Sequence, residues 1–221
     1  MWRRCSRSGS RCAHSFDEQS KLTCMSNSFE ESSAPDPVEQ MFWEEVSQLL
    51  LGQVKQTTRA IELCLQGDLW EPALVLMLSF IDACAWLARA LDHADVKSED
   101  FITWVEKYLL PDSKLECTAE ELYGARCGML HSLTGESRLH RQEKVRKIYW
   151  SRSQDDNVYT LLQLRMNEKF LPVGVGIDHL FWALGKALDR FGEDLDSNAE
   201  LGRLVGDRIH QSYFTKVRRL T

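Results

Sequence analysis

The 221-residue sequence predicts an all-α helical bundle that carries a small β-hairpin and two additional C-terminal helices. Three observations predict it. From Val38 onward apolar residues recur at three- and four-residue steps. Helix start and stop residues punctuate those runs. Only the stretch from Arg146 to Met166 gathers β-branched and aromatic residues around a turn. With 43% hydrophobic and 27% charged residues, a chain of this length holds enough apolar surface to build a core.

Residues 1–37 show no helical or alternating pattern, and the first forty positions hold nine serines and both Pro35 and Pro37, so this part reads as a disordered N-terminal tail. Arg3, Arg4, Arg7 and Arg11 precede any acid, but neither an amphipathic face nor an apolar h-region follows, and no targeting segment is expected. Met25 reads as the true initiator.

Residues 38–135 then hold four predicted helices. Met41, Phe42, Val46, Leu49, Leu50, Val54, Ile61 and Leu65 line the first, which Gly67-Asp68 ends. Pro72 falls in the first turn of the second, where its missing N–H costs nothing. That helix is apolar on nearly every side through Leu91, so it should be central. Ser98 is the expected cap of a third helix that Pro111 stops near Leu110, and Thr118 with Glu121 forms a capping box for a fourth running toward Leu133. In residues 136–221, segments Arg146–Arg152 and Val158–Met166 around Gln154-Asp155-Asp156-Asn157 predict the hairpin. After Pro172 and two glycines, Ile177 to Phe191 steps as a helix, and Ser197 is expected to cap a last one through about Phe214, all packed on the same domain.

Charge and cysteines narrow the function classes. From Met25 onward 22 basic residues face 31 acidic ones, so a surface-wide, non-specific grip on nucleic acid is not expected. The longest unbroken apolar stretch, Ala73–Leu78, is far below the roughly 18 residues of a bilayer span, and no membrane partner is expected. Seven cysteines without a CxxC spacing fit reduced thiols and a cytoplasmic setting.

The segment Glu121 to Ser132, ELYGARCGMLHS, carries the chemistry. Histidine exchanges protons near neutral pH, and a guanidinium fork matches a phosphate, so Arg126 and His131 together suit phosphodiester cleavage. With a ribose 2′-hydroxyl as internal nucleophile, that pair calls for no metal and no cofactor. Here the chain resembles the HEPN superfamily, helical-bundle proteins many of which are metal-independent ribonucleases with an Arg-x(4–6)-His motif. Arg126 and His131 match it with four residues between, and the resemblance, closest to bacterial HEPN-like proteins, covers roughly Val38 to Gly135. It implies RNA cleavage with His131 as general acid/base, Arg126 on the phosphate, Asp82 as the supporting acid, and a homodimer that brings two motifs into one cleft. It equally implies a catalytically silent HEPN-like module that binds a nucleotide or a partner protein, in a toxin–antitoxin (antitoxin partner) or phage-defence context.

Helix geometry sets a condition on either reading. Five residues of α-helix leave Arg126 and His131 about 140° apart and roughly 7.5 Å apart along the axis. They do not share a face, so convergence is expected to need a loosened helix near Gly128, a distorted last turn, or a histidine from a second subunit. A purely structural arrangement also fits: Arg126 neutralises Asp82, and His131 occupies a helix end that favours a cation.

Asp82 is the lone carboxylate of an apolar helix and needs Arg126, Arg89 or Tyr123 beside it, or a cleft. Tyr123, one turn before Arg126, is positioned to hydrogen-bond or stack a base, or to serve in the core. Cys127 and His131 have a ligand-like spacing but no second pair, so no metal site is expected. After the motif, Arg138, Arg141, Lys144, Arg146 and Lys147, with Tyr149 and Trp150 interleaved, are the candidate RNA-binding residues; an alternating solvated face is the plain alternative.

Overall fold

The structure is a computed structural model and describes residues 37–134, 136–152 and 172–213. The first helix, α1 (Pro37–Gln66), ends where the sequence places its stop, but the reversal belongs to Asp68 rather than Gly67. Asp68 sits at φ 57° with its N–H on the Leu65 carbonyl, and the Leu69 N–H reaches back to Cys64. This is a Schellman closure with aspartate in the left-handed position that glycine usually holds.

The second helix, α2 (Trp70–Ala88), has Pro72 in its first turn and stops short of Leu91, which is exposed. Nine of its 19 residues are buried, Met77, Leu78 and Ile81 completely. Counted over the whole helix rather than as an unbroken run, α2 is long and apolar enough to cross a membrane by length and composition. Ser98 does not cap α3 (Ser98–Trp104) but begins it; the Lys97 N–H is taken at 2.8 Å by the Asp100 carboxylate, which reaches the helix start as a neutral serine hydroxyl does not. The expected remainder of this helix is a π-helical turn, Val105–Leu109.

Next come α4 (Ala119–Ser132), the single turn α5 (Arg138–Arg141), and β1 (Ile148–Ser151). The second arm of the predicted hairpin lies outside the described residues. Among the described residues β1 pairs with β2 (Val173–Gly176), in parallel, with Ile148 opposite Val173 and Trp150 opposite Val175. The two glycines that precede the Ile177 helix therefore belong to a strand. All four β2 residues are buried.

Two helices follow, α6 (Ile177–Ser197) and α7 (Ala199–Tyr213). The cap of α7 is Asn198, whose side-chain oxygen accepts the Leu201 N–H at 3.1 Å; Ser197 ends α6 and returns its hydroxyl to the Glu193 carbonyl. α2 packs against α1, α3, α4, α6 and α7. One continuous core joins Ile61, Met77, Trp104 and Leu122 with Leu180, Leu184 and Ile209, so the described helices on both sides of residue 135 share it.

Candidate functional site

α2 supplies Asp82, and α4 supplies Arg126 and His131. The start of α4 is fixed as the sequence predicts: the Thr118 hydroxyl accepts the Glu121 N–H at 3.3 Å, and the Glu121 carboxylate accepts the Thr118 N–H at 2.9 Å. The small residues of the motif have a packing cause. A Cβ on Gly128 would stand 2.6 Å from the Thr134 carbonyl oxygen and 3.0 Å from that of Glu136, and one on Gly124 would meet Val145 at 3.0 Å. Gly124 and Gly128 thus let the following segment close onto one side of α4, while Arg126 reaches toward α2.

Arg126 Nη2 donates to Asp82 Oδ2 at 2.6 Å, and Arg126 Nη1 lies 3.5 Å from His131 Nε2. The two tips therefore meet, and none of the three expected devices is needed, because α4 stays helical through Ser132. Helical side chains lean toward the N-terminus, which brings the imidazole back along the axis, and the long arginine arm spans the remaining arc. Leu133, at φ 50°, then ends the helix. Of the three partners considered for Asp82, Arg126 is the one in place; Arg89 instead donates to the carbonyls of Trp86, His93 and Ala94.

The electrostatics follow from burial. The side chains of Arg126 and Asp82 are 16% and 22% exposed, whereas His131 is exposed. Burial works against the guanidinium charge, but Asp82 outweighs it and holds the Arg126 pKa above its ordinary value. The guanidinium N–H faces Nε2, so this nitrogen is the acceptor and the proton of a neutral His131 ring belongs on Nδ1. The Arg126 Nε is buried with no hydrogen-bond partner among the described residues.

Tyr123 is half-buried with its ring 5.5 Å from that of Phe101; burial, then the neighbouring Cys127 thiol, pushes its hydroxyl pKa up, so it remains a donor. Between α4 and α5 lies an open groove of about 280 Å³ bordered by Tyr123, Cys127, Arg138, Leu139, Gln142 and Lys144. The basic stretch divides. Arg138, Arg141 and Lys144 are exposed. Arg146 is bound to the buried Glu121 carboxylate, with its Nη2 3.1 Å from Oε2, and Lys147 lies 3.5 Å from Glu136. Arg146 thus serves the fold, because Glu121, 4% exposed, needs a cation, whereas Lys147 meets a carboxylate that is itself exposed.

Gln142 and His140 carry no motif-level signal. Gln142 reaches the groove only because α5 turns there, and His140 accepts the Ser137 N–H at 2.9 Å through Nδ1 while burial lowers its pKa. Burial pushes the Cys84 and Cys117 thiols up to about 12, which keeps them protonated and poor nucleophiles. Among the described residues no three His, Cys, Asp or Glu side chains gather as a metal-binding group. Compared with protein families, curated proteins and solved structures, the chain matches none.

Proposed function

We propose that the chain is a metal-independent, HEPN-type endoribonuclease. The observation that carries the reading is the Asp82–Arg126–His131 relay, with contacts of 2.6 and 3.5 Å that end on an exposed imidazole. His131 Nε2, freed from Arg126 when the guanidinium turns to the phosphate, takes the proton of a ribose 2′-hydroxyl. The 2′-oxygen bonds to phosphorus, the P–O5′ bond breaks, and the departing 5′-oxygen takes a proton from an imidazolium, leaving a 2′,3′-cyclic phosphate and a 5′-hydroxyl. Arg126 holds the non-bridging oxygens as negative charge grows on them, and Asp82 fixes the direction of the fork. A homodimer with two such motifs at one cleft provides separate imidazoles for base and acid.

The test is incubation of the purified protein with single-stranded RNA in EDTA. Wild type is expected to cleave, His131→Ala to be slower by about 10²–10⁴-fold, and Arg126→Lys, which keeps the charge but loses the fork, by about 10²-fold or more. No cleavage by wild type, or undiminished cleavage by His131→Ala, rejects the reading. The burial of Arg126 favours a second one, a catalytically silent module that binds a nucleotide or a partner protein, and that outcome is RNA binding without cleavage.

A further inference from the structure

We infer that the groove between α4 and α5 is a nucleobase subsite, which holds one unpaired base of an RNA strand next to the Arg126–His131 pair. This rests on the ribonuclease reading for its substrate class and goes beyond it by assigning where the strand is held and which side chains read it.

The groove has the parts a single nucleotide requires. Its floor combines the Tyr123 ring with Leu139, and Tyr123 is backed by Phe101 at 5.5 Å, so the ring is a supported stacking surface. Its wall holds Gln142, whose exposed amide offers one acceptor and two donors, the set that pairs with a base edge. Its rim holds the exposed cations Arg138 and Lys144, on a protein whose overall charge is −6. Cations concentrated there attract a phosphate backbone despite the acidic remainder.

The groove is also joined to the proposed chemistry. Cys127 borders it and is near enough to Arg126 and Tyr123 to act on the electrostatics of both. Tyr123 and Cys127 stand one turn apart on one helical face, and Cys127 stands one turn before His131. A base stacked on Tyr123 therefore has its own phosphate within reach of Arg126 and the neighbouring one near Arg138 and Lys144. An α-helical peptide or a duplex is the wrong occupant, because a space of about 280 Å³ takes a single base rather than a helix.

The experiment uses the full chain carrying His131→Ala and measures fluorescence anisotropy of labelled single-stranded RNA octamers of A, C and U. Tyr123→Leu is expected to weaken binding about tenfold, whereas Tyr123→Phe, which keeps the ring, stays within about twofold. Arg138→Ala with Lys144→Ala lowers the slope of log affinity against log salt by about 1.4. Gln142→Ala, at an exposed position that leaves folding intact, reduces the preference among the three octamers. Absence of RNA binding, or binding unchanged by Tyr123→Leu and by Gln142→Ala together, overturns the inference. RNA binding with this groove dependence but no cleavage by wild type supports the subsite and rejects the nuclease. Wild-type cleavage undiminished by the groove substitutions rejects the subsite and keeps the nuclease.

Discussion

A carboxylate on the most apolar helix of the protein is costly unless a cation meets it, and Asp82 meets Arg126 at 2.6 Å. That need makes the pair stabilising only as a pair, and it also turns the guanidinium toward His131 rather than toward solvent. Asp82→Asn keeps the shape and removes the charge. It is expected to lower stability in urea denaturation by about 2 kcal/mol, less than a fully buried pair because both side chains retain some exposure. Added to Arg126→Ala it should cost little more, so the two changes are strongly non-additive; simple addition would show that the contact carries no energy. At this scale the sequence was informative about types and silent about directions. Spacing on a helical wheel separated Arg126 from His131, and the lean of helical side chains brought them together. Likewise Arg146 looks like its basic neighbours in sequence, and only the buried position of Glu121 shows that it is engaged within the fold.

Elements were legible where periodicity was long and stop signals were local. α1, α2, α4 and α6 lie close to their predicted spans, and the Thr118–Glu121 capping box forms as expected. The caps shifted by a residue where two polar neighbours competed: Asp100 outdid Ser98, and Asn198 outdid Ser197. Among the described residues β1 has a partner that is parallel and distant in sequence, which no turn signal announces. Glycine gives a test at this scale, since alanine favours a helix by about 1 kcal/mol unless space forbids it. Gly52 in α1 has nothing within 4 Å of a new Cβ, and Gly128 in α4 has the Thr134 carbonyl at 2.6 Å. Gly52→Ala should raise stability by about 0.5–1 kcal/mol, and Gly128→Ala should lower it and, by displacing the Thr134 and Glu136 carbonyls, weaken RNA binding. Thermal melts that show the same sign for both would contradict the packing cause given for the motif's small residues.

For the whole molecule, the described helices before and after residue 135 share one core. Arg208 of α7, 7% exposed, donates to the carbonyls of Leu87 and Arg89 at 2.6 Å and of Ala90 at 3.2 Å, satisfying the end of the helix that carries Asp82. The helix that carries Asp82 is thus held from both sides of the chain, and the exposed cations Arg138 and Lys144 stand beside the groove on a protein of net charge −6. The central claim is that a guanidinium and an imidazole act on one phosphodiester whose own 2′-hydroxyl attacks. Its most direct measurement compares, in EDTA, cleavage of an RNA oligonucleotide with that of the same oligonucleotide bearing a single 2′-deoxy sugar at the cut site. The account predicts that the all-ribose strand is cut to a 2′,3′-cyclic phosphate and the substituted strand resists at that position; equal cleavage of both, or of neither, would contradict it.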